Sequence, residues 1–263
     1  MSDLISEKQN HVAVIKLNRP DRMNAISNDM LTALGKSLEE FDQDQDVRAI
    51  ILTGEGRGFC AGLDLKDTVA GRGIGGSLTS GGAAHISTRD LPTVTLNRID
   101  VPVICAINGG AAGYGFDLAL GCDLRLISDR AKLAPAFAKR GIVPESGGTW
   151  YLPRLIGWAR SCEIGFLGDD ISPDRALELG LVNKIVAHDA LMTEAHAWAD
   201  KIASNAPLAI RAMKRLFRHG LSEDFESHTH HVLMQLMVLF KSNDVGEGIK
   251  AFLEKRDAKF TGR

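Results

Sequence analysis

Val101-Pro102-Val103-Ile104-Cys105-Ala106-Ile107-Asn108-Gly109-Gly110-Ala111-Ala112-Gly113-Tyr114-Gly115-Phe116-Asp117-Leu118 passes from an apolar run, through a glycine-rich turn, into a helix-forming segment. The run from Val101 to Ile107 is short and apolar, which reads as a buried strand. Glycines at the end of a strand let the backbone approach a ligand and leave N–H groups uncovered. In open α/β folds ligands bind at the carboxyl ends of strands, where a following helix adds its partial positive charge. Two other turns have the same design. Thr53-Gly54-Glu55-Gly56-Arg57-Gly58-Phe59-Cys60-Ala61-Gly62-Leu63-Asp64-Leu65 follows the apolar run Ala49 to Leu52, and Gly141-Ile142-Val143-Pro144-Glu145-Ser146-Gly147-Gly148-Thr149 precedes a helical segment. Two such loops can present two backbone N–H groups to one oxygen, which is the physical content of an oxyanion hole. A phosphate cradle fails on detail, because no G-K-[ST] follows any of the three.

Outward from these turns, strands and helices alternate. Val12 to Leu17 is β-branched and alternating, and Asn18-Arg19-Pro20-Asp21 is turn chemistry. Ser27 or Asn28 caps a helix running to about Phe41, with Met30, Leu31, Leu34, Leu38 and Phe41 on one face. Leu124 to Ile127 is a further short strand. This repetition predicts an α/β core with crossover connections. From about Pro173 the pattern is helical: Asp174 to Leu179, Ala190 to Ala203, Pro207 to His219, Asp224 to Lys241 and Val245 to Lys259. We therefore divide the chain into an α/β core, residues 1–195, and a helical C-terminal region, residues 196–263. Leu233, Leu236, Met237 and Phe240 recur at helical spacing, as core packing or a subunit interface requires.

Composition narrows the function. The 263 residues are 44% hydrophobic and 24% charged, so the chain can bury a sizeable core. Lys plus Arg is 31 and Asp plus Glu is 33, a formal net charge of −2. That balance gives no bulk attraction to nucleic acid or anionic membrane. Met1 to Asn10 is polar and carries no export signal, and no apolar run approaches the roughly 20 residues of a spanning helix. The four cysteines, Cys60, Cys105, Cys122 and Cys162, form no C-x-x-C pair. They read as free thiols in a reducing compartment, and the expected location is the cytoplasm.

Several features yield a plainer reading than their patterns suggest. Gly71, Gly73 and Gly76 match G-x-G-x-x-G, but no strand precedes them and no helix opens at their end, so they read as a loop near a site. Cys60 has no motif-linked histidine and reads as small-residue packing. His228, His230 and His231 lack a ligand pattern of Cys or carboxylate and read as a solvated face; no metal is expected. Arg211, Lys214, Arg215 and Arg218 lie mostly on one helix face, also read as solvated, with phosphate contact as the alternative.

The ordered motifs resemble the crotonase family (enoyl-CoA hydratase/isomerase). They are N-R-P-x-x-x-N-A-I at Asn18 to Ile26, F-C-A-G-L-D-L at Phe59 to Leu65, A-I-N-G-G-A-A-G-Y-G-F-D-L at Ala106 to Leu118, and G-I-V-P-E-S-G-G-T-W-Y-L-P-R at Gly141 to Arg154. A-L-E-L-G-L-V-N-K-I-V at Ala176 to Val186 and A-F-L-E-K-R at Ala251 to Arg256 complete the set, which spans about residues 10 to 260. The resemblance implies an α/β spiral of ββα turns with a helical C-terminal trimerisation region. It implies a homotrimer or hexamer, and an acyl-CoA substrate with coenzyme A as part of the substrate and no other cofactor. It assigns the oxyanion-hole amides to Leu63 and Tyr114. Many relatives have glycine at the second position, so the Tyr114 side chain is expected to narrow the acyl pocket. For coenzyme A it points to Arg22 at the phosphates, the backbone of Cys60 and Ala61 at the adenine, and Phe252 and Lys255 reaching across from a neighbouring subunit.

The catalytic residues follow from the same resemblance. Hydratases of the family use two glutamates; the first position is Asp117 here and the second is Phe137, which has no acid–base chemistry. Glu145 matches the position where some isomerases of the family carry their base. Glu145 and Asp117 are therefore the candidate catalytic residues. For each, support of a helix N-terminus is the competing role. Double-bond isomerisation by Glu145 alone and hydration by both carboxylates stand as alternatives. Thioester hydrolysis, C–C cleavage, and a non-catalytic coenzyme A-binding scaffold or RNA-binding relative are further readings, the last disfavoured by the near-neutral charge.

Overall fold

A computed structural model of the chain describes residues 2–64 and 91–263. Strands β1 (Leu4–Gln9), β2 (Val12–Leu17), β3 (Ala49–Gly54), β5 (Val103–Ile107), β7 (Leu124–Ser128) and β9 (Lys184–Val186) form a six-stranded sheet in the order β1-β2-β3-β5-β7-β9. Only the β1–β2 pair is antiparallel. Every residue of β3 and β5 is buried, which is why both read as unbroken apolar runs. Alternate residues feed two cores. Ala13, Ile15 and Leu17 meet Met30, Leu34 and Leu38 of helix α1 (Asn28–Gln43), while Val12 and Val14 join Leu191, Ala195 and Ala199 of helix α7 (Leu191–Ala203) on the opposite face. Each fully buried Leu or Ile contributes about 1.5–3 kcal/mol. Ser27 is the cap of α1: its hydroxyl accepts the Met30 N–H at 3.2 Å.

A smaller parallel sheet, β4 (Gly58–Cys60), β6 (Gly110–Ala112) and β8 (Leu133–Ala134), explains the glycine turns. The chain leaves β3, β5 and β7 of the large sheet and enters β4, β6 and β8 of the small one within a few residues. After these pairs come α2 (Pro92–Arg98), α3 (Tyr114–Leu120) and α4 (Gly148–Ile156). These are the ββα turns of a spiral, and successive turns stack at backbone contact distance. A Cβ at Gly109 would fall on the Arg57 carbonyl oxygen and 2.8 Å from the Gly58 Cα. Gly109→Ala is accordingly expected to cost about 3 kcal/mol, as forced overpacking does. The urea midpoint reads this, and an unchanged midpoint would mean that the corner can open.

Helices α5 (Trp158–Leu167) and α6 (Pro173–Glu178) complete the core, and α8 (Pro207–Gly220), α9 (Phe225–Leu239) and α10 (Asn243–Glu254) follow α7. The expected division between residues 195 and 196 falls inside α7, whose buried residues run on to Ala199 and Ala203. The basic run of α8 is not a solvated face. Arg211 pairs with Asp42 at 2.9 Å, Lys214 with Asp123 at 2.7 Å, and Arg215 and Arg218 with Asp100 at 2.5 and 2.7 Å. These pairs tie α8 to the core. By contrast, α9 buries no residue within the chain, and Leu233, Met237 and Phe240 are exposed. Helix α10 ends earlier than its sequence pattern. Lys255 turns left-handed, and the tail folds back so that Asp244 accepts the N–H groups of Thr261 and Gly262 at 2.7 and 2.9 Å.

Candidate active site

The loop 61–64 is held from both sides. The Ala61 N–H donates to the Met23 carbonyl at 2.9 Å, the Ile26 N–H to Gly62 at 2.8 Å, and the Asp64 N–H to Ile26 at 2.9 Å. Two motif asparagines brace the corner before it. Buried Asn24 donates to the carbonyls of Glu55 and Gly58 at 3.0 and 2.8 Å, and Asn108 accepts the Gly54 N–H at 3.1 Å while donating to Gly56 at 2.9 Å. Asp64 is buried against Arg19 at 3.1 Å and Arg22 at 3.7 Å. Sequence reasoning assigned no role to Asn24, Asn108 or Asp64. Their signal was in the motifs N-A-I, I-N-G and L-D-L, but the partners that give them work are distant in sequence.

Gly62 lies at φ +101°, and a Cβ there would stand 3.0 Å from the Ala112 carbonyl oxygen and 3.6 Å from the Tyr114 nitrogen. Only glycine takes this conformation without strain and lets the two loops close on each other. The Gly62 backbone therefore lies against the Tyr114 N–H, one residue before Leu63. Tyr114 is the first residue of α3, where a helix N–H has no intrahelical partner. Among the described residues, neither the Leu63 nor the Tyr114 N–H donates to a backbone carbonyl.

The third glycine turn carries Glu145, which remains exposed at its edge. Partial desolvation holds its pKa above the ordinary value, opposed by its own N–H and by Ser146. Asp117 lies wholly inside, at 0% exposure. Its Oδ2 accepts the Ser146 N–H at 3.1 Å, and the Gly148 N–H eases the same carboxyl. Asp117 thus serves a helix N-terminus, but that of α4 and not of its own helix. Burial, and then the neighbouring Glu145, push its pKa up to about 7. Oδ1 is buried and has no hydrogen-bond partner among the described residues. Asp117 pins the loop from which Glu145 projects.

The other candidates fall as follows. Phe137 is 3% exposed and packed in the core. Cys60 is fully buried in β4, and desolvation pushes its thiol up to about 12, so it stays protonated and unreactive. Ala61 follows it at the surface, and Arg22 ends a 3-10 turn beside Asp64. Phe252 is 83% exposed on α10 and Lys255 stands just beyond it. No ion pair of Lys255 is formed among the described residues, and nothing in the single chain brings this pair to Arg22 or Ala61. The imidazoles of His228 and His231 approach Glu223 at 3.3 and 3.0 Å. Among the described residues no three His, Cys, Asp or Glu side chains are arranged to hold a metal ion. The glycine-rich stretch 71–82 lies outside the described residues. A cavity of about 520 Å³ opens between α4 and α8 along Tyr151, Arg154, Met213 and Phe217, and touches none of Leu63, Tyr114, Asp117 or Glu145.

Compared with known protein families, residues 7–263 match the family described as Enoyl-CoA hydratase/isomerase. The chain belongs to that family. It is 34% identical to the 1,2-epoxyphenylacetyl-CoA isomerase of Escherichia coli over 100% of both chains. It is also 34% identical to the short-chain-enoyl-CoA hydratase of Clostridium acetobutylicum, over 97% of this chain and 96% of the relative. Among solved structures, the enoyl-CoA hydratase of Mycobacterium tuberculosis matches with a TM-score of 0.90 at 31% identity, covering 99% of each chain. The family fold expected from the motifs, a spiral of ββα turns, is the fold observed. Among the described residues no helix is long and apolar enough to cross a membrane.

Proposed function

We propose that this chain acts on an enoyl-CoA thioester, with the thioester oxygen between the amides of Leu63 and Tyr114 and Glu145 as the base that moves a proton between C2 and C4. Removing a proton at C2 places negative charge on the thioester oxygen, where two preorganised donors stabilise it best. A carboxyl group with a raised pKa then carries the proton at neutral pH. The observation that carries this reading is the conjunction of two N–H groups that donate to no backbone carbonyl among the described residues with one exposed carboxylate, Phe137 being buried where hydratases carry their second glutamate. Asp117 takes a supporting role. The chemistry uses no metal or redox cofactor. Arg22 and the backbone of Cys60 and Ala61 serve coenzyme A, with Phe252 and Lys255 supplied by a neighbouring subunit. The exposed apolar residues of α9 and α10 support a homotrimer or hexamer.

Hydration is the second reading. It is favoured by the unpartnered Oδ1 of Asp117, whose pKa near 7 suits a group that shares a water with Glu145. A paired assay separates the two. The protein is given a trans-2-enoyl-CoA and, separately, a 3-enoyl-CoA, and products are read by mass spectrometry. Conversion of the 3-enoyl substrate at unchanged mass, without hydration, is the expected result. Gain of one water on the 2-enoyl substrate would instead make Asp117 the partner of Glu145. Coenzyme A binding without turnover of either would leave a scaffold.

A further inference from the structure

The Leu63 amide owes its direction to a short parallel bridge with Ile26. The Ile26 N–H donates to the Gly62 carbonyl at 2.8 Å, and the Asp64 N–H donates to the Ile26 carbonyl at 2.9 Å. Ile26 thus bonds the residues on either side of Leu63 and takes nothing from Leu63 itself. Peptide groups alternate in direction along an extended segment, so the Leu63 N–H faces the opposite edge. One side chain clamps this bridge. The Arg19 guanidinium donates through one terminal nitrogen to the Ala25 carbonyl at 2.6 Å and through the other to Asp64 Oδ2 at 3.1 Å. Ala25 precedes Ile26 and Asp64 follows Leu63, so a single planar group holds both segments.

The clamp is set into the fold. The Arg19 and Asp64 side chains are only 16% and 9% exposed. Arg19 is fixed in turn by Asn24, whose Oδ1 accepts the Arg19 N–H at 2.8 Å and whose N–H donates to the Arg19 carbonyl at 2.9 Å. A buried ion pair adds little net stability, because desolvation offsets the attraction. What this pair does provide is a fixed geometry, since a guanidinium holds two acceptors in one plane and an ammonium does not. We infer that Arg19 and Asp64 are positioning residues: their clamp sets the direction of the Leu63 N–H and so the strength of its hydrogen bond to the thioester oxygen. This rests on the thioester reading given above. Neither side chain touches the reacting atoms. A donor slightly out of line still admits the ligand but stabilises the developing charge less, so the clamp acts on kcat and not on coenzyme A affinity.

Bound hexa-2,4-dienoyl-CoA reads the clamp, because hydrogen bonds to its carbonyl draw charge along the conjugated chain and move its ultraviolet absorption to longer wavelength. The spectrum is taken on mixing, with intact protein in excess so that altered affinity does not enter. Wild type is expected to give a red shift. In Arg19→Lys, which keeps the charge but cannot fork, the shift should shrink by about half or more. In the same variant kcat on a 3-enoyl-CoA should fall about 10–10²-fold, with KM within about threefold of wild type. Asp64→Asn, which keeps the shape and loses the charge, should shrink the shift likewise. The acid limb of the rate profile should stay in place in Arg19→Lys, because Glu145 is untouched. A full shift and full kcat in the variants would overturn the proposal. A shift and rate that fall only in proportion to the folded fraction, read by circular dichroism, would also overturn it and leave the pair a structural tie. No red shift and no turnover in wild type would overturn the thioester reading itself, and this inference with it.

Discussion

Replacing Glu145 with glutamine is expected to lower kcat by about 10²–10⁴-fold, the usual contribution of a positioned acid–base group, while leaving coenzyme A affinity unchanged. Glutamine keeps the shape of the side chain and removes its ability to accept a proton. Because desolvation raises the Glu145 pKa, the wild-type rate should also fall on the acid side as this carboxylate takes up its proton. The direction follows from the role: a base works only in its ionised form. Asp117 does not rescue the variant in the single-base reading, since it is enclosed and already engaged by the Ser146 N–H. A steady-state assay paired with calorimetric coenzyme A binding separates the two effects. Full activity in Glu145→Gln would remove this residue from the reaction. Lost coenzyme A binding would recast it as a structural residue of its loop.

Asp117 is expected to make the fold less stable as pH rises from about 4 toward neutrality. Its carboxyl ordinarily titrates at 3.8, and in the folded chain it titrates at about 7. Between those values the folded protein holds a proton that the unfolded chain has released. The folded state therefore binds more protons, and stability declines as pH rises across this window, levelling above about pH 7. At about 1.4 kcal/mol per pH unit the full effect is about 4 kcal/mol. Asp117→Asn keeps an acceptor for the Ser146 N–H and cannot ionise. The gap in urea midpoint between the variant and wild type should widen in favour of the variant from pH 5 to pH 8. Parallel curves would mean that Asp117 is already ionised in the folded state at pH 5.

The two expectations share one cause. Asp117 holds the loop that presents Glu145, and it does so from a site where its own charge is unwelcome. Glu145 is one of the charges that make it so. A carboxyl group retained there at a cost to stability fits a site organised around proton movement. A neutral amide, if it only braced the loop, would serve the fold better.

Much of this architecture was legible along the chain. The all-buried strands β3 and β5 announce themselves as apolar runs, because a strand covered on both faces has no polar side to show. Helix α1 shows its buried stripe and its Ser27 cap for equally local reasons. Strand β1 gave no such signal. It is an antiparallel edge with Leu4 as its only buried residue, so it reads as a polar terminus. The small sheet was hidden for another reason: its strands are two or three residues long, and they pair only because glycine lets successive turns of the spiral stack. The basic run of α8 looked solvated because the partners Asp42, Asp100 and Asp123 lie more than 90 residues away.

The sequence by itself determined the family, the three glycine turns, and the departure from two glutamates at Phe137. Each of these is a statement about residue type at a spacing, and such information survives in one dimension. The tertiary structure decided the rest. It put Gly62 against the Tyr114 amide, turned Asp117 onto the N-terminus of α4, and enclosed the Tyr114 side chain in the core. Those outcomes depend on which distant backbone lies within hydrogen-bond reach and on how much water each group loses. Burial and long-range pairing come into being only when the spiral closes, and the raised pKa of Asp117 is a consequence of that closure.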